Sequence, residues 1–146
     1  MTKNVLLSIR GLQFEGAVEP GTIETITRGT YYKRNGSHYV LFEDMMEGSD
    51  EVVDSIMKFN ENEMQLTKKG PINVSMLFEP NRKNIANYET PYGAIQIGID
   101  AKRLEVEEEM DKIALNIDYE LEVNYEHLAD CSILVEIIAT KEREAK

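Results

Sequence analysis

The chain has 146 residues and a single cysteine, Cys131, with a net charge of −11 from 27 acidic and 16 basic side chains. One cysteine excludes an internal disulfide framework. The excess of carboxylates argues against nucleic acid or an anionic membrane as partner, since both need clustered Lys and Arg.

Without a run of about 20 apolar residues or an apolar N-terminal leader core, the composition points to a soluble cytoplasmic protein. It fits one domain over 1–146, with 1–2 and 141–146 as frayed termini. The charge keeps a β-protein soluble, or offers an acidic face to a basic partner.

In chain order, Lys3 to Phe14 opens with Val5, Leu7 and Ile9 on one face. Gly11 then shifts the phase to Leu12 and Phe14, which reads as a bulge or bend. Pro20-Gly21 is a turn. Thr22 to Lys33 is rich in Thr, Ile and Tyr, residues that fit a pleated surface, with a kink expected at Gly29. Asn35-Gly36 is the strongest hairpin signal, because a type I′ turn needs positive φ at both central residues. His38 to Met45 is the return strand.

Asp50 to Phe59 reads two ways. Asp50 caps a helix with a Val53, Ile56 and Met57 stripe, or Val53, Ser55, Met57 and Phe59 line one face of a strand. Strand is preferred, because the neighbours are strands. Met64 to Lys68 is a short strand and Gly70-Pro71 a turn. Ile72, Val74, Met76 and Phe78 alternate. Pro80-Asn81 begins a loop, Pro91-Tyr92-Gly93 is a tight turn or kink, and Ile95, Ile97 and Ile99 alternate again.

The acidic cluster Glu105, Glu107, Glu108, Glu109 and Asp111 has no apolar face to bury as a helix and reads as a strand end and solvated turn. Lys112 to Tyr125 alternates for more than ten residues, with Ile113, Leu115, Ile117, Tyr119, Leu121 and Val123 on one face. His127 to Asp130 are read as the last turn, and Ser132 to Thr140 as the final strand. About eight to ten strands joined by short loops suggest an antiparallel up-and-down barrel, whose closure removes sheet edges.

The run Arg28-Gly29-Thr30-Tyr31-Tyr32 before the Asn35-Gly36 hairpin, then Lys69-Gly70, Tyr88-Glu89-Thr90-Pro91-Tyr92-Gly93 and Ile117-Asp118-Tyr119, resembles the YwiB-like family. These are small bacterial (Firmicutes-type) proteins of unknown function with a calycin, or lipocalin-like, β-barrel. The resemblance covers nearly the whole chain and implies a fold, not an activity. One departure is Lys68, where the resemblance leads one to expect Arg. A point charge there replaces a bidentate fork.

No residues form a catalytic motif, and the expectation is a protein that is not an enzyme. His38 and His127 lie beside turns without metal-ligand spacing, so they read as exposed or rim residues, and no metal or cofactor is expected. Cys131 reads as a small packed apolar residue. The tyrosines are either core residues or the lining of a ligand cavity.

Two functions follow. One is the binding of a small apolar or amphipathic ligand in the barrel, its polar end oriented by Arg28, Tyr32, Tyr88, Tyr92 and Tyr119. The other is a protein-interaction or regulatory module with a side-chain-filled barrel, acting as a homodimer or docking a partner on its acidic face. Arg28 is expected to point outward.

Overall fold

Along Val52–Phe59 the side chains of Val53, Ser55, Met57 and Phe59 are buried, while Val52, Asp54 and Ile56 face water. The same dry and wet alternation builds the whole molecule. The computed structural model describes residues 2–11, 24–45, 52–70, 73–90 and 93–140. Among these are ten strands and no helix: β1 (Thr2–Arg10), β2 (Glu24–Arg34), β3 (Ser37–Met45), β4 (Val52–Phe59), β5 (Met64–Lys69), β6 (Val74–Phe78), β7 (Arg82–Thr90), β8 (Gly93–Glu108), β9 (Lys112–Val123) and β10 (Glu126–Ala139).

They form one antiparallel sheet in the order β6-β5-β4-β3-β2-β1-β10-β9-β8-β7. Each strand neighbours its predecessor in sequence, and β10 returns to β1 with Leu7 opposite Ile137. The sheet curls until β6 meets β7. There, among the described residues, the backbone bonds lie at the two ends. Asn73 and Glu89 exchange both N–H···O bonds at 2.9 Å, and Arg82 N donates to Glu79 O at 3.1 Å. Between those clasps the Asn84 side-chain amide donates to Leu77 O at 3.2 Å. The barrel is therefore nearly closed.

The register sorts residues by face. Tyr31, Val40, Met57, Leu66 and Met76 are successive partners across β2 to β6, and all are buried. One position along, Tyr32, Tyr39, Lys58, Gln65 and Leu77 form the matching outer row. Inside, Leu7, Val40, Met57, Phe59, Met64, Leu66, Met76, Phe78, Ile99 and Leu115 expose no surface even to a water-sized probe. Each such side chain contributes roughly 1.5–3 kcal/mol of transfer free energy.

Asn35 and Gly36 take φ of 52° and 81°, as the hairpin requires. Gly29 has an extended backbone but no room for a side chain, since a Cβ would lie 2.9 Å from the Leu41 carbonyl oxygen. Gly11 bends the chain at φ 90°. Leu12, Phe14, Pro20-Gly21, Pro71 and Pro91-Tyr92 fall outside the described residues.

One reading of the sequence changes, the place of the last turn. The acidic cluster is the strand end and turn expected, with Glu105, Glu107 and Glu108 on β8 and the chain turning at 109–111. A bulge between Ala101 and Arg103 resets the phase, so Leu104 and Val106 pack against the core and β8 runs to Glu108. The last hairpin turns at Asn124-Tyr125, with φ of 50° and 73°, and His127 to Asp130 belong to β10. A second bulge between His127 and Ala129 hides that strand from a search for alternation.

Candidate functional site

The up-and-down topology brings the β2–β3 hairpin, the β4–β5 and β8–β9 turns and the end of β10 to one mouth of the barrel. There the inward positions run out of apolar residues. His38 shares the inner face with Val40 and Phe42. Glu108 lies opposite buried Ile113, and Lys33 opposite His38.

His38 is only 5% exposed and its ring stacks on Phe59 at 4.8 Å. The Tyr31 hydroxyl lies 2.8 Å from His38 Nδ1. On the other side of the ring, Nε2 is 3.7 Å from Glu108 Oε1, and Lys33 Nζ is 3.7 Å from Glu108 Oε2. The direction of the Tyr31–His38 hydrogen bond depends on the tautomer: with the ring proton on Nε2, facing the carboxylate, Nδ1 accepts the Tyr31 O–H.

Burial lowers the His38 pKa. Glu108 opposes that shift and Lys33 reinforces it. Burial and then Glu108 push the Tyr31 phenol up. A phenol so shifted is a hydrogen-bond donor at neutral pH, not a nucleophile. Beside this group opens a cavity of about 60 Å³, lined by Tyr31, Glu108, Asp111, Lys112, Ile113 and Ile137 among others. It is far below the roughly 300–1,000 Å³ that organic ligands occupy. The site can hold or move a proton and order small polar groups. The carboxylate is too far from the imidazole to hold it as a firm general base.

The residues expected from sequence to bind a ligand are not brought together. Arg28 is exposed on the outer face, opposite Leu6. Tyr32 is half-buried, also outside, stacked on Tyr39 at 4.8 Å with rings within 5° of parallel. Tyr88 and Tyr119 point inward and are buried at 7% and 2% exposure. Tyr92 lies outside the described residues.

Tyr119 meets Phe78 edge-on at 5.1 Å, and its hydroxyl has no hydrogen-bond partner. The polar group beside it is the Cys131 thiol, opposite in register and a weak partner. Burial drives the Tyr119 phenol far above its ordinary value and raises the Cys131 thiol as well. Cys131 packs partly buried against the core, as its sequence context suggested. Ser55 Oγ is a second buried hydroxyl without a partner.

His127 is exposed, with Nε2 3.0 Å from Asp130 Oδ1. Glu120 adds a third donor group, all within 4.8 Å of one another. Lys102 supplies counter-charge there, 3.2 Å from Asp100 and 3.9 Å from Glu120. His38 was the residue underestimated from sequence. It does lie at the rim, but buried, and the spacing His38, Val40, Phe42 was the available signal.

Fold and mouth together define an all-β antiparallel barrel with a packed interior and a polar rim. The chain belongs to the family described as a domain of unknown function (DUF1934), whose model matches residues 7–135. It is 26% identical over 117 residues to the uncharacterized beta-barrel protein YwiB of Bacillus subtilis (strain 168), covering 78% of this chain and 80% of that protein. The crystal structure of the ywiB protein from Bacillus subtilis superposes with a TM-score of 0.77 at 17% identity, over 95% of this chain and 93% of that one. That likeness carries the barrel fold.

Proposed function

We propose that this protein is a non-catalytic, cytoplasmic, calycin-like barrel that acts as a protein-interaction module, with a lumen that serves as core. The observation that carries this reading is the dryness of the inward face. Side chains from β1, β3, β4, β5, β6, β8 and β9 touch one another so closely that a water-sized probe reaches none of Leu7, Val40, Met57, Leu66, Met76, Ile99 and Leu115. A barrel plugged this way works through its outside.

The outer face of β8 to β10 fits a partner with a basic surface. Asp100, Glu120 and Asp130 stand directly opposite one another across three strands, and Asp118 and Glu105 share Arg103 beside them. Like charges in register destabilise a sheet unless a cation covers them, and Lys102 covers only part of the row.

The test is capture of host proteins by wild type and by an E120K/D130K variant, with light scattering for self-association. Partners that are lost with the charge reversal and weakened by salt support the reading. Identical capture by both proteins, or none, removes it.

One observation favours the enclosed-ligand alternative. The Tyr119 and Ser55 hydroxyls are buried without partners, and a polar guest would satisfy them. Native mass spectrometry of protein from its own host decides this, through a reproducible bound mass or a clean apo mass.

A further inference from the structure

The mouth carries a second property, independent of what the outer face binds. His38 stands between two elements that no strand ladder joins directly. On one side is Tyr31 of β2, and on the other Glu108, the last residue of β8. The ring is nine-tenths buried and clamped flat on Phe59. It can answer a change of proton count only by exchanging hydrogen-bond roles, not by swinging into solvent. Among the described side chains the charged or titratable groups facing it are Tyr31 and Lys33 from β2 and Glu108 from β8, and on β1 the position opposite Tyr31 in register is Lys3. Glu109, Asp111 and Lys112 surround the adjoining cavity, and Lys112 is engaged by Glu136 at 3.2 Å.

We propose that His38 is a proton-operated latch that joins the β2–β3 hairpin to the β8–β9 turn. In the neutral ring, Nδ1 takes the Tyr31 hydroxyl hydrogen and Nε2–H faces Glu108 across 3.7 Å. That gap is too wide for a hydrogen bond. A proton arriving from solvent binds Nδ1, which becomes a donor to the Tyr31 oxygen. The Tyr31 hydrogen must then turn away from the ring.

The imidazolium now carries a full charge toward Glu108, at low dielectric on its own side. The carboxylate is drawn in against the competing pull of Lys33 on its other oxygen. The protonated state therefore has a shut clasp between hairpin and turn, and the neutral state a loose one.

The experiment is long-range proton–nitrogen spectroscopy of the uniformly nitrogen-15-labelled full chain between about pH 7.5 and about pH 5. Amide hydrogen exchange of residues 107–113 is followed alongside, in wild type and in Glu108→Gln. Glu108 is at the rim with its side chain 48% exposed, so the variant retains the core.

The expected result is the Nε2–H tautomer at neutral pH and a His38 titration below 6.5 in the folded protein. In wild type, protection of the turn amides, taken against the intrinsic exchange rate at each pH, rises by about threefold or more on protonation. In Glu108→Gln the titration moves to still lower pH and the rise in protection disappears. The latch is overturned by an Nδ1–H tautomer at neutral pH, by a His38 that does not titrate before the protein unfolds, or by an equal rise in protection of the turn in Glu108→Gln.

Discussion

Replacing Tyr119 with phenylalanine removes one oxygen atom from the core. The hydroxyl is buried, has no hydrogen-bond partner, and sits beside a thiol that substitutes poorly for the water it gave up on folding. Leaving such a group unpaired costs roughly 1–3 kcal/mol, and a weak S–H contact returns roughly 0.5–1 kcal/mol. The ring stays edge-on against Phe78, so the transfer and packing contributions are retained. The net expectation for Tyr119→Phe is a gain of about 1 kcal/mol, or about 2–4 °C in Tm for a chain of this size.

Urea unfolding followed by circular dichroism measures it, with the midpoint rising and the slope unchanged. A loss of 1 kcal/mol or more would refute the reasoning. It would mean that the hydroxyl is satisfied by a guest, and would return weight to the enclosed-ligand reading.

The companion substitution goes the other way. Tyr31→Phe strands His38 Nδ1 in a buried site and should cost about 1–2 kcal/mol in the same assay. Met57→Ala, at a position with no accessible surface on the inner row, should cost about 2–5 kcal/mol by leaving a cavity. Stability should depend on pH at both ends of the range. The lowered His38 value means that the unfolded chain takes up its proton first, so stability falls as pH drops below the ordinary value of 6.5 toward the folded value. The raised Tyr31 value means that stability present below pH 10 is lost above it, as the unfolded phenol ionises first. Urea midpoints across pH, compared with His38→Phe and Tyr31→Phe, separate the two contributions.

Alternation alone located most of the strands, because a sheet with one buried face writes period two into the chain. The run from Ile113 to Val123 shows this, whereas at Val53, Ser55, Met57 and Phe59 the pattern also fitted a helix and the neighbouring strands decided. Asn35-Gly36 was legible through its φ requirement. The places that resisted were those where alternation breaks. Bulges at Ala101/Arg103 and His127/Ala129 shift the phase without a glycine or proline to announce it. The Asn124-Tyr125 turn places a tyrosine at positive φ, against residue preference.

The site was less legible than the fold for a different reason. Tyr31, His38 and Glu108 lie on the inner phase of strands that meet only through register and closure, and neither is written locally. Period two put Tyr119 on one face with Ile117 and Leu121, but it could not say that Tyr31, His38 and Glu108 would meet at the mouth.

The two clasps between β6 and β7 have a consequence for how the chain could be re-threaded. Every other junction in the barrel is a full ladder, and β1 with β10 is the one ladder whose strands lie at opposite ends of the sequence. Thr140 already donates its backbone N–H to Asn4 O at 3.2 Å. Joining 140 to 2 through a short linker and opening the chain at Pro80-Asn81 would turn that distant pairing into a hairpin and place the new ends at the seam. The β1–β10 ladder would become local, and the closure that spans nearly the whole chain would pass to the sparsely bonded β6–β7 seam. The same ten strands would assemble as an uninterrupted ribbon of neighbours, with only two pairs of residues left to button it into a barrel.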